Sequence, residues 1–208
     1  EEHGKKPFRD DDDNNNSNHN RPSSETEMIM GAWYGEDITN SFVPEYVFCE
    51  YGLHGEGDWY EFEVIEEYDV IIYGEPYNNL TNALQYTVTE DTLYLDIGTS
   101  LTSGEGFQSD GGSLDLKRCD IVSQKNTTQG LWYVTSGGEA TIFNMTEDTI
   151  YACGDEESLS FEVDGNTIYC SDYIIDCAMS SNAMTWDFYY MDGDDMVYDF
   201  TYEYIRIE

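Results

Sequence analysis

Three aspartates near the C-terminus have the residue type and spacing that suit ion binding. Asp192, Asp194 and Asp195 lie in the segment MDGDDMVYDF, residues 191–200, where the Asp-Gly step predicts a hairpin turn. Because Ca²⁺ prefers carboxylate oxygens, this loop is a candidate weak calcium site. A plain turn explains the same residues and is the favoured interpretation. Calcium is the only cofactor that the sequence suggests.

Aromatic side chains offer a second kind of chemistry, the stacking of sugar rings. Trp59 and Tyr60 are adjacent, and so are Tyr189 and Tyr190. If these four residues are exposed, they form a candidate ligand-binding platform. Aromatic residues at alternating strand positions more often belong to the core or to cross-strand pairs, and that alternative stays open.

Residues for nucleophilic catalysis are scarce. Such catalysis requires Ser or Cys beside a base, and His54 is the only histidine after residue 27. Its Gly-rich segment YGLHGEGDWY predicts a surface loop. The chain has five cysteines, and none forms the C-x-x-C spacing of a zinc or redox site. Cys170 and Cys177 either bridge neighbouring strands or remain buried thiols. We therefore predict a protein that is not an enzyme; the alternative is a secreted glycan hydrolase with an unidentified carboxylate pair.

Charge excludes one class of partner. The chain carries 44 acidic and eight basic residues, a formal net charge of -36. A surface this acidic repels phosphate backbones and anionic headgroups, so we predict no nucleic-acid partner. The charge suits cations, a basic partner or a salty environment, and it is also consistent with a merely solubilising surface.

The elements that must position these residues are β-strands. Residues 1–27 contain a single aromatic residue and no aliphatic one, which predicts a disordered acidic tether. From residue 28 onward, apolar and polar residues alternate over about fifteen short segments separated by turn signals, which is typical of an antiparallel meander. The second half predicts eight strands within residues 131–207. Insertions are expected at 50–58 and 98–113, the latter rich in Gly and Ser, and the polar segment SQKNTTQ, residues 123–129, is a predicted linker.

A repeated motif indicates that one folding unit occurs twice, in residues 28–122 and 127–208. Gly-x-Trp-Tyr places Trp33 and Trp132 in equivalent settings, and a basic residue, Arg118 or Arg206, falls in the last predicted strand of each unit. The first and last strands of a closed meander are neighbours. We therefore expect each Arg to stack on its Trp, a structural cation–π contact.

The segments FEVDGNTIYC, CAMSSNAMTWDF and YEYIRIE resemble the small lipocalin-like domains of Bacteroidota surface lipoproteins. The resemblance is clearest over residues 130–208 and looser over 31–122, through GAWYGE, YTVTEDTLYLD and LDLKRC. It implies an exported lipoprotein at the cell surface or outer membrane, attached only through a lipid anchor on a Cys ahead of residue 1. It also implies a non-catalytic accessory or binding subunit of an outer-membrane protein complex for nutrient uptake or secretion.

Overall fold

The computed structural model describes residues 24–55, 58–136, 139–154 and 158–207. Strands make up 65% of the structure and helix 3%, which confirms the all-β prediction. A single short helix, α1 (Glu25–Ile29), precedes the strands in the described part of the chain. The predicted tether over residues 1–23 lies outside the described residues.

The first nine strands form one antiparallel sheet, which we call the first unit. Its order is β4-β3-β2-β1-β9-β8-β7-β6-β5, so that β1 pairs with both β2 and β9 and the sheet curls on itself. The strands are β1 (Gly31–Gly35), β2 (Tyr46–Cys49), β3 (Gly52–Gly55), β4 (Asp58–Tyr60), β5 (Phe62–Ile65), β6 (Val70–Tyr77), β7 (Leu80–Val88), β8 (Thr92–Leu101) and β9 (Gln108–Arg118).

The remaining eight strands form a closed antiparallel barrel, the second unit. Each strand pairs with the next, and the last pairs with the first, as the sequence predicts for this half. The strands are β10 (Gly130–Ser136), β11 (Glu139–Met145), β12 (Thr149–Ala152), β13 (Ser158–Asp164), β14 (Thr167–Cys170), β15 (Tyr173–Met179), β16 (Ala183–Asp192) and β17 (Asp195–Arg206).

Strand pairing shows that both units follow the same plan. In the barrel, residues 158–160 of β13 pair with β12 and residues 161–164 pair with β14. In the first unit two separate strands make the equivalent pairings: β4 pairs with β3, and β5 pairs with β6. A single residue, Glu61, separates β4 from β5, and its carbonyl accepts a hydrogen bond from Gly74 N at 3.1 Å. The first unit is therefore an eight-stranded meander whose fourth strand is interrupted at Glu61.

Two sequence-based expectations are corrected by these boundaries. The tether does not include residues 24–27, because α1 begins at Glu25 and Ser24 caps it. Side-chain contacts fix this turn: the Thr26 hydroxyl donates to Glu66 at 2.7 Å and the Tyr86 hydroxyl donates to Glu25 at 3.0 Å. The expected insertions at 50–58 and 98–113 contain β3, part of β4 and parts of β8 and β9, because glycine there permits close strand contacts.

Each unit has its own apolar core, and a third cluster lies between the units. That interface cluster contains buried Ala32, Val47, Cys49, Cys119, Leu131, Ile142 and Cys153. Asn144, which is fully buried, joins the two units because its Nδ2 donates to Phe42 O at 2.8 Å and to Asp120 O at 3.0 Å. We call the apolar cluster and the Asn144 contacts together the inter-unit interface.

Candidate binding surface

An arginine closes one end of the first unit. Arg118 lies opposite Trp33 in the β1–β9 pairing, and its guanidinium carbon is 4.0 Å from the Trp33 ring centroid. The guanidinium also donates to the carbonyl of Met30 at 2.9 Å and to that of Met28. The indole N–H of Trp33 donates to Ile29 O at 2.8 Å. The Trp–Arg pair therefore holds α1 across the end of the unit.

The same arrangement of Trp and Arg, which we call the Trp–Arg lock, closes the equivalent end of the barrel. Arg206 lies opposite Trp132, with its guanidinium carbon 4.2 Å from the ring centroid. It donates at 2.7 Å to the carbonyls of Thr127 and Gln129, which belong to the segment between the units. Trp132 donates to Thr128 O at 2.6 Å. Both stacking contacts expected from the sequence are thus observed.

Backbone conformation explains why glycine occupies the first position of each Gly-x-Trp motif. Gly31 has φ +123° and Gly130 has φ +140°, values that other residues rarely adopt. A Cβ on Gly31 would also lie 2.6 Å from Nη1 of Arg118. The motif therefore leaves room for the arginine that stacks on its tryptophan.

The two aromatic pairs of the predicted platform lie on different units. Trp59 packs on His54 and on Tyr133, at centroid distances of 5.8 and 5.3 Å, so it belongs to the inter-unit interface. Tyr60 packs edge-on against Tyr73 at 5.4 Å and lines a cavity of about 150 Å³ inside the first unit. Trp59 and Tyr60 therefore do not join Tyr189 and Tyr190 in one platform.

The surface-loop interpretation of His54 is wrong. His54 lies in β3, opposite Val47 and Trp59, and only 4% of it is exposed. Its Nδ1 has no hydrogen-bond partner, and burial lowers its pKa despite the nearby carboxylate of Asp58. Alternation of β3 directs His54 toward the second unit, a contact that a Gly-rich sequence does not reveal.

Tyr189 belongs to a row of aromatic and aliphatic residues on the outer face of the barrel. Strand register pairs Tyr169 with Ile174, Ile174 with Tyr189, and Tyr189 with Tyr198. We call these four residues the tyrosine strip. Their neighbours along the strands, including Ile168, Ile175 and Phe188, are buried in the barrel core, so the strip faces outward. Since adjacent strands are ~4.8 Å apart, the strip is about 14 Å long.

The two ends of the strip are exposed, and the strip continues into the hairpin between β16 and β17. Tyr169 is 46% and Tyr198 is 54% exposed. Two residues further along the hairpin, and so on the same face, Met191 pairs with Met196, and these side chains are 49% and 54% exposed. We call Met191 and Met196 the methionine pair. Of all these residues only Tyr189 was a candidate from sequence, because the strip exists only once the register of four strands is known.

Carboxylates lie beside the strip on the same face. Asp176 of β15 is directly opposite Asp187 of β16, in the row next to Ile174 and Tyr189. Partial burial and these two carboxylates raise the pKa of Tyr189 above its usual value. Asp187 accepts a hydrogen bond from the Thr201 hydroxyl. Asp192 pairs with Asp195 as the last pair of the hairpin, one residue beyond the methionine pair, so alternation directs these two carboxylates to the opposite face of the hairpin.

Asp192, Asp194 and Asp195 therefore form a tight hairpin turn. Gly193 has φ +66°, as a two-residue turn requires, and all three aspartates are exposed. Among the described residues, no group of three His, Cys, Asp or Glu side chains is arranged to hold a metal ion. Calcium binding at this turn stays a prediction, and the plain-turn interpretation accounts for the geometry.

All five cysteines are free. Cys170 and Cys177 lie on neighbouring strands within the barrel core without a disulfide between them. Burial raises the pKa of Cys119 in the inter-unit interface to about 12. Because the thiolate is the reactive form, these buried thiols act as small apolar residues.

No protein family, curated protein or solved structure matches this chain. Within the described residues, no helix is both long enough and apolar enough to cross a membrane.

Proposed function

We propose that this chain is a non-catalytic binding protein displayed at the cell surface, acting as an accessory subunit of an outer-membrane nutrient-uptake or secretion complex. The observation that carries the proposal is the contrast between the inside and the outside of the barrel. The barrel's own side chains, including Trp132, Trp186 and Phe161, pack together in its interior. Large apolar side chains are meanwhile exposed on its outer face. Exposed aromatic and methionine side chains on a rigid scaffold are typical of protein-binding surfaces.

Two further features support the proposal. The resemblance of residues 130–208 to lipocalin-like domains of surface lipoproteins implies a lipid anchor ahead of an acidic tether. The inter-unit interface, with Tyr51 stacked on Tyr133 at 4.8 Å, also joins the two units.

The proposal is tested in the organism that encodes the chain. Intact cells are treated with protease, and native outer membranes are cross-linked before the protein is purified under denaturing conditions. We expect surface cleavage and a cross-linked species with one larger outer-membrane protein in fixed proportion. A protein that resists protease in intact cells and is recovered without a partner would overturn the proposal. Product release from a polysaccharide panel would favour the glycan hydrolase instead.

A further inference from the structure

We propose that the tyrosine strip and the methionine pair form the docking surface of this protein, and that their partner is a basic protein segment in which Lys or Arg alternates with apolar residues. This inference rests on the proposed function and names the face and the partner chemistry. Three independent features of the described surface carry it.

The first feature is exposed apolar area in one place. The strip and the methionine pair lie on the same outer face of β14–β17, and four of their six side chains are 46% to 54% exposed. Tyrosine supplies large contact area for little loss of side-chain freedom, and methionine adapts to irregular partners. The barrel closes through the pairing of β17 with β10, and the strip lies on the outer face of its sheet. A partner that approaches this face therefore meets side chains first.

The second feature is an arrangement of charge that costs the free protein stability. Asp176 faces Asp187 across the β15–β16 pair, in the row next to Ile174 and Tyr189. Like charges directly opposite each other destabilise a sheet, and such local conflicts concentrate at functional sites. A Lys or Arg between two facing carboxylates would relieve this repulsion. The tyrosine faces beside them offer the same cation a second attraction.

The third feature excludes two other occupants. A second copy of the chain would bring another formal charge of -36 against this face, which is repulsive. A sugar ring stacks best on a flat aromatic surface, whereas the rings of Tyr189 and Tyr198 meet at 73° with centroids 5.7 Å apart. The Tyr198 hydroxyl also shares a hydrogen bond of 2.9 Å with Thr201, which fixes this angled arrangement.

The test uses the full chain and two synthetic peptides of equal length and charge. One alternates Lys with Leu and the other alternates Lys with Ser. Titration calorimetry at physiological ionic strength measures the Kd of each. We expect the Lys-Leu peptide to bind about tenfold more tightly than the Lys-Ser peptide, because only the former covers the apolar strip. Equal affinities would overturn the inference, since the acidic surface would then act only as a charge.

Variants localise the binding. The double substitution Tyr169→Ser with Tyr198→Ser should weaken Lys-Leu binding about tenfold, as expected for central aromatic anchors. The matched control is Tyr94→Ser, which removes a tyrosine that is 41% exposed on the first unit and should leave the Kd unchanged. If the strip variant folds poorly, Met191→Gln with Met196→Gln at the exposed hairpin serves instead, and circular dichroism checks each fold. Equal losses from strip and control variants would overturn the inference.

Two results separate this inference from the proposed function. A membrane partner that cross-links equally to the wild type and to the strip variant would overturn the docking face and leave the accessory role standing. Strip-dependent peptide binding without any membrane partner would uphold the docking face and remove the accessory role. Strip-dependent binding of a neutral oligosaccharide, with no peptide binding, would overturn the inference in favour of a sugar site.

Discussion

At the scale of single residues, the two Trp–Arg locks explain the positions of two of the few basic residues, Arg118 and Arg206. Arg118 neutralises little of the surface charge, because its guanidinium is turned onto Trp33 and onto backbone carbonyls that end α1. Its Nε donates to Glu90 O at 2.7 Å, so one side chain ties together three segments. Lysine offers no planar fork of donors and could not replace it.

We expect Arg118→Ala to lower the free energy of unfolding by about 3 kcal/mol, because it leaves partly buried carbonyls unsatisfied and removes a cation–π contact. Urea denaturation measures the loss. The control is Lys117→Ala, which removes the same charge from an exposed neighbour on β9 and should change stability by less than about 0.5 kcal/mol. Equal losses from the two variants would show that only net charge matters.

The glycine beside this lock gives a second prediction. Gly31→Ala forces an unfavourable φ and places a Cβ against Arg118, so we expect a loss of more than about 3 kcal/mol. Gly111 has φ +92°, and no atom lies within 4 Å of the position that a Cβ would take there. Gly111→Ala therefore bears the backbone cost alone, about 1–3 kcal/mol. Chemical denaturation of both variants separates the cost of the Cβ contact with Arg118 from the backbone cost. A Gly31→Ala variant no less stable than Gly111→Ala would contradict a cost from that contact.

At the scale of elements, the strands of the barrel are predictable because their signals are local. In β13 and β14 the apolar alternation and the Asp164-Gly165-Asn166 turn lie within twelve residues, and Gly165 has the positive φ that the turn needs. The helix α1 is not predictable in the same way, because tertiary contacts to Tyr86 and Glu66 fix it. The tyrosine strip is also hidden from sequence, because register between distant segments is not a local property.

The burial of His54 of β3 at the inter-unit interface predicts that the stability of the fold depends on pH. The pKa of His54 is lower in the folded state than its ordinary value, so the unfolded chain binds the proton more readily. The contribution of His54 is therefore fully present above the unfolded-state pKa of ~6.5. It is lost as pH falls below that value, with a slope of at most ~1.4 kcal/mol per pH unit.

The variant His54→Phe keeps an aromatic ring against Trp59 and removes the titration. We expect the melting temperature of the wild type to fall, relative to this variant, between about pH 7 and pH 5. Comparing the two proteins removes the effect of the many carboxylates, which titrate in both. Parallel pH profiles for the two proteins would contradict the assignment.

At the scale of the whole molecule, charge and architecture oppose each other. The formal charge of -36 on 208 residues favours expansion, because like charges repel most strongly when the chain is compact. Two apolar cores and the cluster between the units oppose that expansion. The same charge that weakens the fold gives the docking surface its selectivity for basic partners, so stability and binding respond to salt in opposite directions.

Salt should therefore stabilise the fold while it weakens the Lys-Leu complex. Screening shortens the range of repulsion to ~8 Å at physiological ionic strength, and we expect the melting temperature to rise steadily with sodium chloride. A protein adapted to high salt would instead unfold when salt is removed. Calcium binding at the hairpin turn predicts a larger rise in melting temperature with calcium than with sodium at equal ionic strength, whereas a plain turn predicts equal rises. An excess shift with calcium that Asp194→Asn abolishes would establish the hairpin turn as an ion site, and would show that its aspartates do more than repel one another.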